Sequence, residues 1–185
     1  MIVEDDQLGS SNITYDELAA KTNQFSEIIK NLKLEKQSRV LVRLPNCLHY
    51  PIAFLGAMKA GCIAVPTSTL LTATEVIYLA KDSEAAVLVT DHETWKSLEP
   101  IAEELTFLKA VFIHQASHDL SSDYLDVKDL GIEIDKIEVC TPNPATKSDD
   151  PAYLVYTSGT TGYPKGVLHA HRALLGRNPA SKYWF

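Results

Sequence analysis

The chain has 185 residues and a mass of 20.4 kDa, enough for one domain with a real core. Hydrophobic residues make up 45% and charged residues 22%, which excludes a disordered chain, a collagen-like repeat and a disulfide mini-protein. The net charge is −7, so the surface as a whole is a poor partner for nucleic acid or an anionic membrane.

Thr14-Tyr-Asp-Glu17 is a capping box and predicts a first helix, with Leu18, Phe25, Ile29 and Leu32 forming its buried stripe. A strand is predicted over Arg39–Leu44, broken by Pro45-Asn46, and a second helix runs to about Ala60 with Gly61 as its stop. Ile63–Val65 reads as a strand. Thr72-Ala-Thr-Glu75 is a second capping box, opening a helix to about Lys81. Ala86–Thr90 and Ala110–Ile113 read as further strands, and between them Asp91 caps a helix expected over His92–Leu105. This alternation with short connections predicts an α/β fold: a doubly wound parallel sheet with helices on both faces. Residues 1–114 are expected to form this α/β subdomain. Residues 115–151 read as an irregular linker, because Val139–Pro151 holds three prolines and two acids. Order returns with the apolar strand Ala152–Tyr156, a polar loop, a short strand at Gly166-Val-Leu168 and a helix from about His169. Residues 152–185 are therefore expected to hold a hairpin and the start of a further subdomain.

Cys47, Cys62 and Cys140 are odd in number and widely spaced, which fits a reducing compartment and gives no zinc site. The N-terminus has no apolar signal core, and the longest apolar run, Ile52–Met58, is too short to span a bilayer. A soluble, cytoplasmic chain is expected.

Chemistry concentrates in Tyr156-Thr-Ser-Gly-Thr-Thr-Gly-Tyr-Pro-Lys-Gly166. Thr157, Ser158, Thr160 and Thr161 supply four hydroxyls within five positions. Gly159 and Gly162 let the backbone turn and approach a ligand. Successive backbone N–H groups can form an anion nest, and Lys165 adds a full charge. Charge is segregated to match: residues 1–150 hold 13 basic and 24 acidic side chains, whereas residues 151–185 hold four basic side chains and no acid. A plain Gly/Ser/Thr turn would explain the hydroxyls, but not the apolar strand before them or Pro-Lys-Gly after them. The loop is not a Walker P-loop: Gly162 and Gly166 are only four apart, and Gly166 stands where Ser or Thr must hold magnesium.

Leu154-Val-Tyr-Thr-Ser-Gly-Thr-Thr-Gly-Tyr-Pro-Lys-Gly-Val167 resembles the phosphate-binding motif of the adenylate-forming enzymes: acyl-CoA synthetases, peptide-synthetase adenylation domains and luciferases. Ile13-Thr-Tyr-Asp-Glu-Leu18 and Met58-Lys-Ala-Gly-Cys-Ile-Ala-Val-Pro66 are similar to two further motifs of that family, so the resemblance covers about Ile13 to Arg172. It implies part of the large N-terminal domain of the adenylate-forming fold. It implies a reaction in which acid and ATP give acyl-adenylate and pyrophosphate, after which coenzyme A displaces AMP. By motif position Thr157, Ser158, Gly159, Thr160, Thr161, Gly162 and Lys165 would grip the β- and γ-phosphates of ATP with magnesium. His169 would have a secondary place near the acid pocket. Val167-Leu-His-Ala-His-Arg172 and Val65–Glu75 resemble the CoA ligases of fatty and aromatic acids.

In that family the chain continues for several hundred residues, so the adenine, ribose and coenzyme A contacts, with the catalytic lysine, are expected outside this sequence. The chain alone is expected to be inactive, with no catalytic residue of its own, and to self-associate through open sheet edges. Two other readings stay open: a stand-alone nucleotide- or phosphate-binding module, and a fragment of a peptide-synthetase adenylation domain. The spacing of His169 and His171 does not support a metal pair. His49, His92, His114 and His118, like Arg43 and Lys59, read as structural or exposed residues, and no base is positioned beside a cysteine.

Overall fold

The computed structural model describes residues 2–5, 9–116, 122, 125–138, 146–157 and 162–183. A small antiparallel ribbon, β1 (Ile2–Asp5) with β2 (Gly9–Asn12), precedes the main body. The elements then run α1 (Tyr15–Asn31), β3 (Arg39–Arg43), α2 (His49–Lys59), β4 (Ile63–Pro66), α3 (Ala73–Asp82), β5 (Ala85–Asp91) and α4 (His92–Leu98). A 3-10 segment (Glu99–Glu104), β6 (Ala110–His114), β7 (Asp126–Asp129), α5 (Leu130–Lys136), β8 (Pro151–Thr157), β9 (Lys165–Ala170), α6 (Arg172–Gly176) and α7 (Asn178–Tyr183) follow.

The main sheet has seven strands in the order β7-β6-β5-β3-β4-β8-β9. All neighbours pair parallel except β9, which returns antiparallel to β8. The chain starts at β3, steps to β4 on one side, then crosses to β5, β6 and β7 on the other. That reversal puts a topological switch point between β3 and β5.

Both faces are covered, as the alternating pattern requires. On one face α1, α2 and α5 bring Phe25, Ile29, Ile52 and Leu130 onto Val40, Val42, Val89 and Phe112. On the other, α3, α4 and the 3-10 segment bring Val76, Trp95, Leu98 and Ala102 onto Leu41, Val65, Leu88 and Val111. The helix starts follow their caps. Thr14 N–H donates to Glu17 Oε2 at 2.8 Å while Glu17 N–H donates to Thr14 Oγ1 at 3.2 Å. Thr72 and Glu75 repeat the box at 2.7 and 3.4 Å, and Thr94 N–H donates to Asp91 Oδ1 at 2.8 Å.

Three expectations change. Residues 126–136, inside the stretch read as an irregular linker, form β7 and α5, which extend the sheet and cover it. The Asp91 helix is α-helical only to Leu98, because Pro100 carries no N–H and the chain tightens into a 3-10 turn. The strand after the polar loop continues to Ala170, so no helix starts at His169. β8 is paired on both sides, by β4 and β9, so among the described residues the open edge on that side belongs to β9.

Candidate functional site

In a parallel α/β sheet ligands are held where the strands reach their carboxyl ends. Arg43, Pro66, Asp91 and Thr157 end β3, β4, β5 and β8 along that edge. The polar loop leaves from it. Thr157 and Lys165 face each other as the last register pair of the β8–β9 hairpin, and Thr157 Oγ1 donates to the Lys165 carbonyl at 3.5 Å. Both side chains are exposed. Gly162 adopts φ +135°, backbone that an L side chain rarely takes. Ser158, Gly159, Thr160 and Thr161 lie outside the described residues.

The two stems of the loop are tied to α3. On the outgoing stem the Tyr156 hydroxyl donates to Asp82 Oδ2 at 2.6 Å; burial first, and this carboxylate second, hold the phenol well above its ordinary range. On the returning stem the Tyr163 ring stacks on Tyr78, with centroids 4.8 Å apart and planes 21° from parallel. The Tyr78 hydroxyl donates to the Pro164 carbonyl at 3.4 Å. Beside these contacts is a cavity of about 610 Å³ lined chiefly by Pro66, Thr67, Leu71, Tyr78, Tyr156 and Tyr163.

Arg43 is no surface residue: it is 6% exposed. Its guanidinium donates to the carbonyls of Ser68, Thr69 and Leu71, the last two at 3.0 and 2.8 Å, which fixes the loop after β4 that walls the cavity. Neither Arg43's burial nor Tyr78 and Asp82 was anticipated from sequence. The one available signal was that Tyr78 and Asp82, four apart on a helix, share a face.

His169 lies on β9 opposite Tyr153, and the two rings stack at 4.5 Å with planes 10° apart. Tyr153 and Phe54 belong to the core under α1 and α2, whereas Tyr156 and Leu71 belong to the other face. His169 therefore sits across the sheet from the cavity. His171 follows the strand just before α6. His49 and His114, far apart in sequence, meet with ring centroids 4.6 Å apart. Burial, His114 and Lys21, in that order, push the His49 imidazole down to about 4, against Asp129 and Asp135. Cys47 and Cys62 are buried, and burial pushes the Cys62 thiol up to about 11, far from a nucleophilic thiolate. Cys140 and His118 lie outside the described residues. Among the described residues no group of three or more His, Cys, Asp or Glu side chains could hold a metal ion, and no helix is long and apolar enough to cross a membrane.

A switched parallel sheet with a Gly- and Thr-bearing loop at its carboxyl edge matches what the comparisons with known proteins give. The chain belongs to the AMP-binding enzyme family, whose pattern matches residues 3–183. It is similar to the long-chain-fatty-acid–CoA ligase FadD13 of Mycobacterium tuberculosis, at 28% identity over 88% of this chain and 30% of that protein. It is similar to the benzoate–CoA ligase of Thauera aromatica, at 32% identity over 90% of this chain and 30% of the relative. Among solved structures, an anthranilate CoA ligase, AuaEII, in complex with anthranoyl-AMP superposes with a TM-score of 0.81 at 26% identity, covering 91% of this chain and 33% of that one. The chain thus spans about a third of the length of the relatives it matches.

Proposed function

We propose that this chain is the polyphosphate-gripping part of an ATP-dependent carboxylic acid–CoA ligase. In the whole enzyme a carboxylate oxygen attacks the α-phosphorus of ATP, the bond to the bridging oxygen breaks, and pyrophosphate leaves with that electron pair. The acyl-adenylate then loses AMP to the thiol of coenzyme A, forming the thioester. The named relatives act on fatty and aromatic acids, and we extend that substrate class to this chain.

The observation that carries the reading is the hairpin stem. Thr157 and Lys165 sit side by side at the carboxyl edge of the sheet, with Gly162 turned to a backbone that favours close approach. By motif position Ser158, Thr160 and Thr161 add hydroxyls, and Gly159 adds backbone freedom. Hydroxyl and ammonium donors suit phosphate oxygens and stabilise charge as it collects on the leaving pyrophosphate. No carboxylate is among them, so magnesium would come with the nucleotide, held mainly by its phosphates and water. His169, packed on Tyr153 across the sheet, is better accounted for as a core contact.

A grip on the β- and γ-phosphates makes the phosphate chain decisive. In calorimetric titrations with magnesium present, ATP and inorganic tripolyphosphate should bind with similar affinity, and AMP at least about tenfold more weakly, the equivalent of 1.4 kcal/mol. Equal binding of AMP and ATP, or no binding of either polyphosphate, would overturn the reading. Because the chain spans about a third of its relatives, it should show no carboxylate-dependent exchange of pyrophosphate into ATP, and exchange by the chain alone would refute that part.

A further inference from the structure

We propose that α3 positions the phosphate loop, with Tyr78 and Asp82 each holding one of its two stems. The inference rests on the reading of the loop as a polyphosphate grip. β9 is an edge strand whose residues 165–168 are exposed, and at the last of the six β8–β9 register pairs the side-chain bond is long, at 3.5 Å. α3 is the opposite. Its start is fixed by the Thr72–Glu75 box, and Val76, Ile77 and Ala80 are buried in the core under that face.

Tyr78 and Asp82 stand about one turn apart on this helix, and the residues they meet, Tyr163 and Tyr156, lie on opposite sides of the loop. Asp82 accepts from Tyr156, immediately before the loop, in a 2.6 Å bond to an ionised oxygen, the short and strong kind. Tyr78 meets Tyr163 and Pro164, immediately before Lys165, by ring stacking and a carbonyl contact. α3 engages the Tyr156 hydroxyl, while Thr157 and Lys165 next to the two anchored stems are exposed. A loop held in this way pays less ordering entropy when a ligand arrives. Neither anchor needs to touch that ligand, so both are positioning residues.

The test uses the 185-residue chain and four substitutions, Asp82→Ala, Asp82→Asn, Tyr78→Leu and Tyr78→Phe. Hydrogen exchange is read without ligand over the amides between Tyr156 and Lys165, and tripolyphosphate affinity by calorimetry. Asp82→Ala and Tyr78→Leu should speed exchange in that segment severalfold, leave β3 and β5 unchanged, and weaken tripolyphosphate by about tenfold. Asp82→Asn keeps an acceptor for Tyr156 and Tyr78→Phe keeps the stack, so each should recover most of the wild-type behaviour. Unchanged exchange in the segment, or a rise spread equally through the sheet with no recovery by the conservative variants, would overturn the proposal. A wild-type chain that binds no tripolyphosphate would overturn the phosphate reading instead, and exchange alone would then decide whether α3 holds the loop.

Discussion

Arg43 shows how much of the site's shape rests on one buried cation. A guanidinium with 6% exposure needs partners for its donors, and here the two Nη groups meet three carbonyls in the turn after β4, while Nε has no hydrogen bond among the described residues. Arg43→Met removes the donors and leaves those carbonyls without their partner. It should cost roughly 2–4 kcal/mol in urea unfolding at neutral pH. A loss under about 0.5 kcal/mol would mean that the turn holds itself. His49 makes the residue-scale case for pH. Its folded value of about 4 lies below the unfolded value near 6.5, so the fold favours the neutral ring. The contribution is complete above pH 6.5 and is lost as pH falls from there toward 4, at no more than about 1.4 kcal/mol per pH unit for one proton. Facing it are His114 on β6, Lys21 on α1, and Asp129 and Asp135 at the start and on the length of α5. His49→Gln should flatten stability between pH 6.5 and 4.5; an unchanged slope there would assign the acid loss to other groups.

At the scale of elements, two helices meet where a side chain is missing. A Cβ on Gly56 of α2 would lie 2.8 Å from Phe25 Cδ1 and 3.0 Å from the Thr22 carbonyl of α1, and backbone cannot swing aside. Gly56→Ala should therefore push the helices apart at a cost of about 1–3 kcal/mol, read as a drop in thermal midpoint. The elements most legible in the sequence were those announced by local chemistry. Both Thr/Glu boxes and Asp91 mark their helix starts at the predicted residues. Elements without such chemistry were missed. β7 is four residues, Asp-Val-Lys-Asp, none fully buried, and offers no apolar run to notice. The far end of the strand at His169 reads like a helix start because its residues lie at an exposed edge, where burial imposes no alternation. The phosphate loop was legible as a string of donors. Its support was not, because Tyr78, Asp82 and Arg43 reach the site only through tertiary packing, for which one chain's spacing holds no record.

The whole molecule ends its sheet on one side with a strand that no described segment pairs. On and beside β9, Val167 is 44% exposed, Leu168 54% and Leu175 77%, which leaves apolar side chains on both faces of an edge strand. Such an edge is a template for a second strand. Sedimentation should therefore show concentration-dependent association of the 185-residue chain, and Leu168→Lys should suppress it; a monomer at high concentration would show that the edge is protected. In sequence the 24 acids fall within the first 150 residues, but the fold brings Asp82 onto Tyr156 beside the loop and Asp149 onto Arg172. The proposed polyphosphate grip centres on Lys165 and its neighbours. The most direct measurement is magnesium–ATP affinity for wild type against Lys165→Ala. Loss of one charged contact should weaken binding by about 10- to 100-fold with the thermal midpoint unchanged. Equal affinity of the two proteins would contradict the account.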